Sequence, residues 1–208
     1  MKQLNKSLVL MLFVIAAALM WTSVTNGTSL QKMNLKELIR NSGRIVVATC
    51  IAIDEGAVTM PDGGKIPFTQ YTFSVSKSIK GDLGSRLEVR QFGVRPSANG
   101  ARVNLGVIGM PSYELNEECI LILTQESKIG LTAPVGLSQG FFRVSTNLKT
   151  GRKEAVNGFN NAGLFSNMQK LKGTVLQNLS RAEINLLSQK QGPVEFDTFV
   201  SLLEKFAQ

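Results

Sequence analysis

The sequence predicts a mainly β chain with helices, of the α+β class: a small OB-like β-barrel with an N-terminal helix and a helical C-terminal tail. Three observations predict it. First, short β-branched apolar runs recur with turn residues between them, as in "RIVVATCIAI", "RLEVRQF" and "CILILT". Such spacing suits a closed or partly closed antiparallel sheet better than a βαβ repeat. Second, in "YTFSVSKSI" Tyr71, Phe73, Val75 and Ile79 fall on one face and Thr72, Ser74, Ser76 and Ser78 on the other. That is the period of two expected of a strand with one wet face. Third, Phe196, Phe199, Val200, Leu203 and Phe206 recur at helical spacing near the end of the chain.

Each element follows in order. Asn34 with Glu37 three residues on resembles a capping box, so a short helix is expected over Met33–Gly43, ended by the glycine. Arg44–Ile53 is β-branched and apolar, hence a buried strand. "DEGAVTMPDGGK" is a turn-rich excursion. The alternating strand follows, with Lys77 breaking its apolar face near the end. Lys80–Ser85 makes a tight connection, and Arg86–Phe92 returns as a third strand with Leu87, Val89 and Gln91 alternating. Gly93–Glu118 is rich in Gly, Pro and Asn and reads as an elaborated loop, with room for one short strand near Val103–Ile108. Cys119–Thr124 and Gln139–Thr146 complete the barrel. After Asn160, Phe165, Met168, Leu171, Val175 and Leu179 recur at helical spacing, and Ser180 with Glu183 forms a second capping box. The barrel domain is expected over residues 28–159. A helical segment over 160–208 packs on it or caps an open end.

The first residues carry their own message. Lys2 and Lys6 precede the wholly apolar run Leu8–Met20, and small polar residues follow it. This is the pattern of a secretory signal peptide, expected over residues 1–27. The run falls short of the roughly 20 apolar residues of a membrane span, so the chain is expected to be secreted or periplasmic, without a stable span once the signal is cut. Trp21 at the end of the run suits an interface and keeps an N-terminal membrane anchor as the alternative. No cysteine stands just after the run to take a lipid.

The blocks "IVVAT", "YTFSVSKSIKG", "LEVRQFG", "NEECILIL" and "PVGLSQGFFRV" occur in this order. They resemble a family of uncharacterised exported bacterial proteins with the same serial blocks, over roughly residues 44 to 145. At lower specificity, the strand order and the "KG" turn look like the OB-type barrels of netrin-like and metalloprotease-inhibitor domains. Those inhibitors chelate the protease zinc through an amino-terminal cysteine. None lies near Thr28 here, so the likeness implies a fold and not that mechanism.

The chemistry open to these residues is narrow. The chain has no histidine, which removes Ser-His-Asp and Cys-His catalysis and the commonest zinc ligand. The acidic pairs Asp54–Glu55 and Glu117–Glu118 are adjacent in sequence, and neighbours on a strand point to opposite faces. Neither forms a dyad by spacing. "MPDGGK" supplies one acid and two glycines, which fits a turn better than a calcium loop. Glycine fingerprints for nucleotides are absent. No cofactor, metal or catalytic residue is expected, and the chain is not expected to be an enzyme. Cys50 and Cys119 both sit in apolar runs; in an exported chain they are a possible disulfide, and otherwise small core residues. The formal net charge is +8, two units of it from Lys2 and Lys6. The cations are scattered and only Phe141–Phe142–Arg143 mixes aromatic with basic groups, so no nucleic acid is expected as partner.

One stretch stands out as a candidate site. "GLTAPVGLSQGFFRV" is apolar and glycine-punctuated. If Leu131, Pro134, Val135, Leu137, Phe142 and Arg143 point outward, they form a partner patch. If they point inward, they plug one end of the barrel. Arg90, Arg95 and Arg102 would flank such a patch and favour an acidic partner. The expectation is an exported, non-enzymatic binding module. Its partner would be another exported protein, such as a protease by the fold likeness. The alternative is an envelope-associated module that binds an anionic polymer or glycan.

Overall fold

The computed structural model describes residues 31–94, 105–168 and 177–208. The signal-peptide region 1–27, Arg95, Arg102, Val103, Leu171 and Val175 lie outside the described residues. The helix α1 (Leu35–Arg40) starts where its capping box demands: Asn34 Oδ1 accepts the Glu37 N–H at 3.0 Å, and the Glu37 carboxylate accepts the Asn34 N–H at 2.8 Å. Its last carbonyls are met from another element. Lys80 Nζ donates to the Ile39 carbonyl at 2.9 Å and to the Ser42 carbonyl at 2.6 Å, placing a cation at the helix's negative end.

Strands β1 (Arg44–Thr59) and β2 (Lys65–Lys80) form one long hairpin. The turn expected from Asp54 is not there. The strand runs on through Asp54, Glu55 and Gly56 because β2 supplies a pairing partner for each, and pairing overrides turn-like composition. The chain reverses at Met60–Gly64, where Met60 N–H donates to the Gly64 carbonyl at 2.7 Å. β3 (Arg86–Val94) pairs with β2, and the two-residue β4 (Leu105–Gly106) pairs antiparallel with the end of β3. β5 (Glu118–Leu123) returns beside β1, followed by β6 (Phe141–Thr146), β7 (Lys153–Asn157) and β8 (Val194–Glu195). Every pairing is antiparallel, in the order β4-β3-β2-β1-β5-β6-β7-β8. Among the described residues the two end strands do not pair with each other, so the sheet is open. The return loop after β5 does reach across: Thr132 N–H donates to the Arg90 carbonyl of β3 at 2.9 Å.

The sheet separates two hydrophobic cores. On its inner side Val46, Ala48, Cys50, Phe73, Leu87, Val89, Leu121 and Phe141 surround Tyr113. The Tyr113 ring meets Tyr71, Phe73 and Phe141 edge-on, at centroid distances of 4.6, 5.2 and 5.0 Å, the arrangement aromatic quadrupoles prefer. Its hydroxyl accepts from Gln91 Nε2 at 2.8 Å. Burial, with Cys119 and Tyr71 nearby, pushes the phenol well above its ordinary range, so it is neutral. On the outer side Ile45, Val47, Ile120, Ile122 and Phe142 pack under helices. The expected single apolar face of β2 is corrected here. A register shift between Val47/Lys77 and Ala48/Val75 breaks the alternation. Tyr71, Phe73 and Val75 therefore serve the inner core while Ile79 serves the outer one.

The tail packs on that outer core as part of one compact unit, Gln31–Gln208. Phe165, expected on an α-helix, lies in a turn, Met168 has 3-10 geometry, and both are buried against it. Helix α2 (Arg181–Leu187) begins with the Ser180–Glu183 capping box. Helix α3 (Phe196–Ala207) buries Phe199, Val200, Leu202 and Leu203. No helix among the described residues is long and apolar enough to cross a membrane.

Glu183 ties the two helices together and gives the fold a pH dependence. Its side chain is buried, at 1% exposure, yet it accepts from Lys205 Nζ at 2.7 Å and Ser201 Oγ at 2.8 Å besides the Ser180 N–H. Burial alone would raise the carboxyl; the hydrogen bonds outweigh it and bring it down to about 2, from 4.5. A lowered folded value stabilises above the unfolded value and loses that effect as pH falls through the folded one. Lys205→Met should therefore cost about 2 kcal/mol at neutral pH. The gap to the wild type should close as pH drops from 4.5 towards 2. Urea titrations across that range check it; a pH-independent gap would show that Lys205 acts by packing alone.

Candidate functional site

The six residues of the expected patch do not share one surface. Val135 and Phe142 are buried in the outer core, with the Phe142 ring 5.0 Å from that of Phe199. Pro134 is buried and bridges to Leu123. Leu131 and Leu137 are half-buried, and Arg143 is exposed. Nor do they plug the inner core, whose centre is filled by Tyr113. The stretch instead makes tight turns: Gly136 and Leu137 both take left-handed backbone, with φ of 63° and 56°. Gln139 is buried behind them, accepting the Met33 N–H at 2.8 Å and donating to the Gln31 carbonyl at 3.0 Å.

Cys50 and Cys119 are thiols, not bridged, and both are buried in the inner core. The β1–β5 register places Cys119 opposite Ala48, so Cys50 is its diagonal neighbour. Diagonal pairs stand about 7–8 Å apart, at or beyond the limit of a disulfide. Burial pushes the Cys119 thiol up, and Glu117 adds to it. Glu117 is ion-paired with Arg143, and Glu118 with Lys153 at 2.6 Å. Among the described residues no group of three acids or cysteines is placed to hold a metal ion.

A different surface emerges on the outer face of β1, β2 and β3. The helices cover this face near Ile45, Val47 and Ile79. Towards the hairpin tip no element among the described residues covers it. There the register brings Gly56, Phe68 and Phe92 into one row, and Asp54, Gln70 and Arg90 into the next. Val58 and Ile66 continue the apolar strip. Phe92 is 41% exposed. A Cβ at Gly56 would fall 2.6 Å from Phe68 Cζ; the glycine lets that ring lie across β1. The Arg90 guanidinium sits 5.4 Å from the Phe68 ring centroid, and its Nε donates to Gln70 Oε1 at 2.8 Å. The Thr132 contact holds its backbone as well.

Sequence reasoning named Arg90 as a flanking cation and missed Phe68 and Phe92. Over Thr72–Ser78 the wet face of β2 carries no aromatic residue. The signal lay just upstream, where Ile66, Phe68 and Gln70 alternate with Lys65, Pro67 and Thr69. On the other side of β3, a cleft of about 230 Å³ opens beside Thr69, Tyr71, Gln91 and Val107 at the rim of the inner core.

Fold and surface together define an α+β chain in which, among the described residues, helices cover the outer face of the sheet near Ile45, Val47 and Ile79 and leave its β1–β2 hairpin end uncovered. No protein-family model and no curated protein matches the sequence.

Proposed function

We propose that the chain is a non-enzymatic binding module that works outside the cytoplasm, secreted or periplasmic, and that its partner is another exported protein. The observation that carries this reading is the outer face of β1–β3 at the hairpin end, which no element among the described residues covers. An exposed phenylalanine beside half-buried Phe68, Val58 and Ile66, with an arginine in cation–π contact among them, has the composition of an interface core. The basic, apolar first residues support export. Carboxylates engaged in ion pairs and a chain without histidine support binding over bond-breaking. The Thr132–Arg90 contact, which ties the β5 return loop to β3 around a filled interior, supports the OB-like reading of the sheet. The resemblance to exported bacterial proteins agrees with all of this.

A second reading has one specific support. The net charge of +8 favours encounters with an anionic polymer or glycan. Photo-crosslinking separates the partner surface from the rest. A crosslinking phenylalanine analogue at Phe92, in cells that export the protein, is expected to capture a discrete protein band. The same analogue at Leu148, 97% exposed on another turn, is expected to capture none. Equal capture from both positions, or none from Phe92, would remove this face as the interface.

A further inference from the structure

We infer that the partner presents an extended segment in which a carboxylate and an apolar side chain alternate, the carboxylate on Arg90 and the apolar group on Phe92. The inference rests on the binding-module reading above and names the chemistry of the partner. Arg90 is prepared for an anion. A cation–π contact with the Phe68 ring and the bond from Nε–H to Gln70 hold its guanidinium at two points. The four N–H bonds of its two terminal nitrogens remain, a fork that matches a carboxylate end-on. Among the described residues no carboxylate lies within ion-pair distance of it, whereas Arg44, Arg86 and Arg143 each face one. A half-buried guanidinium held at two points is weakly hydrated and already ordered, so it loses little on binding.

The surroundings choose the rest of the ligand. Phe92 follows Arg90 by two residues on the same face of β3, about 7 Å away at the rise of a strand. Same-face side chains of an extended peptide repeat at that spacing. Val58, Ile66 and Phe68 offer no hydrogen-bonding atom in their side chains, which favours aliphatic side chains over the hydroxyl-rich surface of a sugar. Asp54 lies two strands away from Arg90, at the opposite side of the face. It orients the acidic end of the segment towards β3.

Fluorescence anisotropy on the full chain tests this with three probes: a short labelled peptide alternating Glu and Leu, the same peptide with Gln for Glu, and polygalacturonate. The Glu peptide is expected to bind, with affinity falling roughly tenfold or more for the Gln peptide, for Arg90→Gln and for Phe92→Ser. Arg90→Lys should weaken it as well, since the charge remains but the fork is lost. Melting curves accompany each variant, and the exposed Phe92→Ser stands in should the Arg90 variants unfold. Equal binding of the Glu and Gln peptides overturns the inference, as does binding indifferent to Arg90 and Phe92, or no peptide binding. Polygalacturonate bound through Arg90 in place of the peptide also overturns it, and leaves the binding module standing with a sugar-acid ligand. Crosslinking at Phe92 without Arg90-dependent peptide binding likewise removes only the partner chemistry.

Discussion

Replacing Tyr113 with alanine is expected to lower the unfolding free energy by about 3–5 kcal/mol, the range for deleting a buried aromatic ring. The ring is fully buried and touches three others, one from β6 and two from β2. It reaches the interior from the loop before β5, so its loss leaves a void that no strand can close by sliding. Tyr113→Phe isolates the polar contribution. It would strip Gln91 Nε2 of its acceptor and cost about 1 kcal/mol. Denaturant midpoints measure both. Leu148→Ala, at a nearly fully exposed position, should stay within about 0.5 kcal/mol. If Tyr113→Ala behaved like that control, the ring would not be the centre of the inner core.

The second large effect is expected at Gly140. An added Cβ would fall 2.5 Å from the Val135 carbonyl oxygen and 2.8 Å from the Ile122 carbonyl oxygen. These are backbone atoms of a tight lattice: Val135 N–H donates to Ile122 O, and Ile122 N–H to Gly140 O, both at 2.8 Å. Neither can move without opening the β5–β6 junction. Gly140→Ala is therefore expected to cost about 2–3 kcal/mol, as overpacking does. Gly151→Ala gives the contrast. Its φ is +68°, with open space around it, so it should lose only the conformational part, about 1 kcal/mol. Equal effects at the two positions would refute a steric origin at Gly140.

Local chemistry was the legible part of the sequence. Both capping boxes stand where Asn34–Glu37 and Ser180–Glu183 placed them. The α3 stripe is buried along Phe199, Val200 and Leu203. β1 reads as apolar on both sides because it is covered on both sides. What stayed hidden depends on contacts distant in sequence. Lys153–Asn157 carries two charges and no strong strand signal, and it is a strand only because β6 and β8 lie beside it. Tyr113, in a stretch of Pro, Ser and Glu, gives no local sign that it fills a core. The bulge in β2 is invisible as well, since a period of two looks unbroken when one residue is skipped and a polar one follows. The candidate site was half legible for the same reason. Arg90 could be named from charge; its contact with Phe68 requires the β2–β3 register.

β1 and β5 are the strands that both cores share. Ile45, Val47, Ile120 and Ile122 serve the helix side, while Val46, Ala48, Cys119 and Leu121 serve the ring side. Slipping one strand past the other by a single position would exchange its two sets. Isoleucines would then press on the rings from sites now filled by alanine and cysteine, and the helices would rest over gaps. Mispairing is thus rejected from above and below together. The two layers should accordingly melt in one cooperative step, neither surviving without the other.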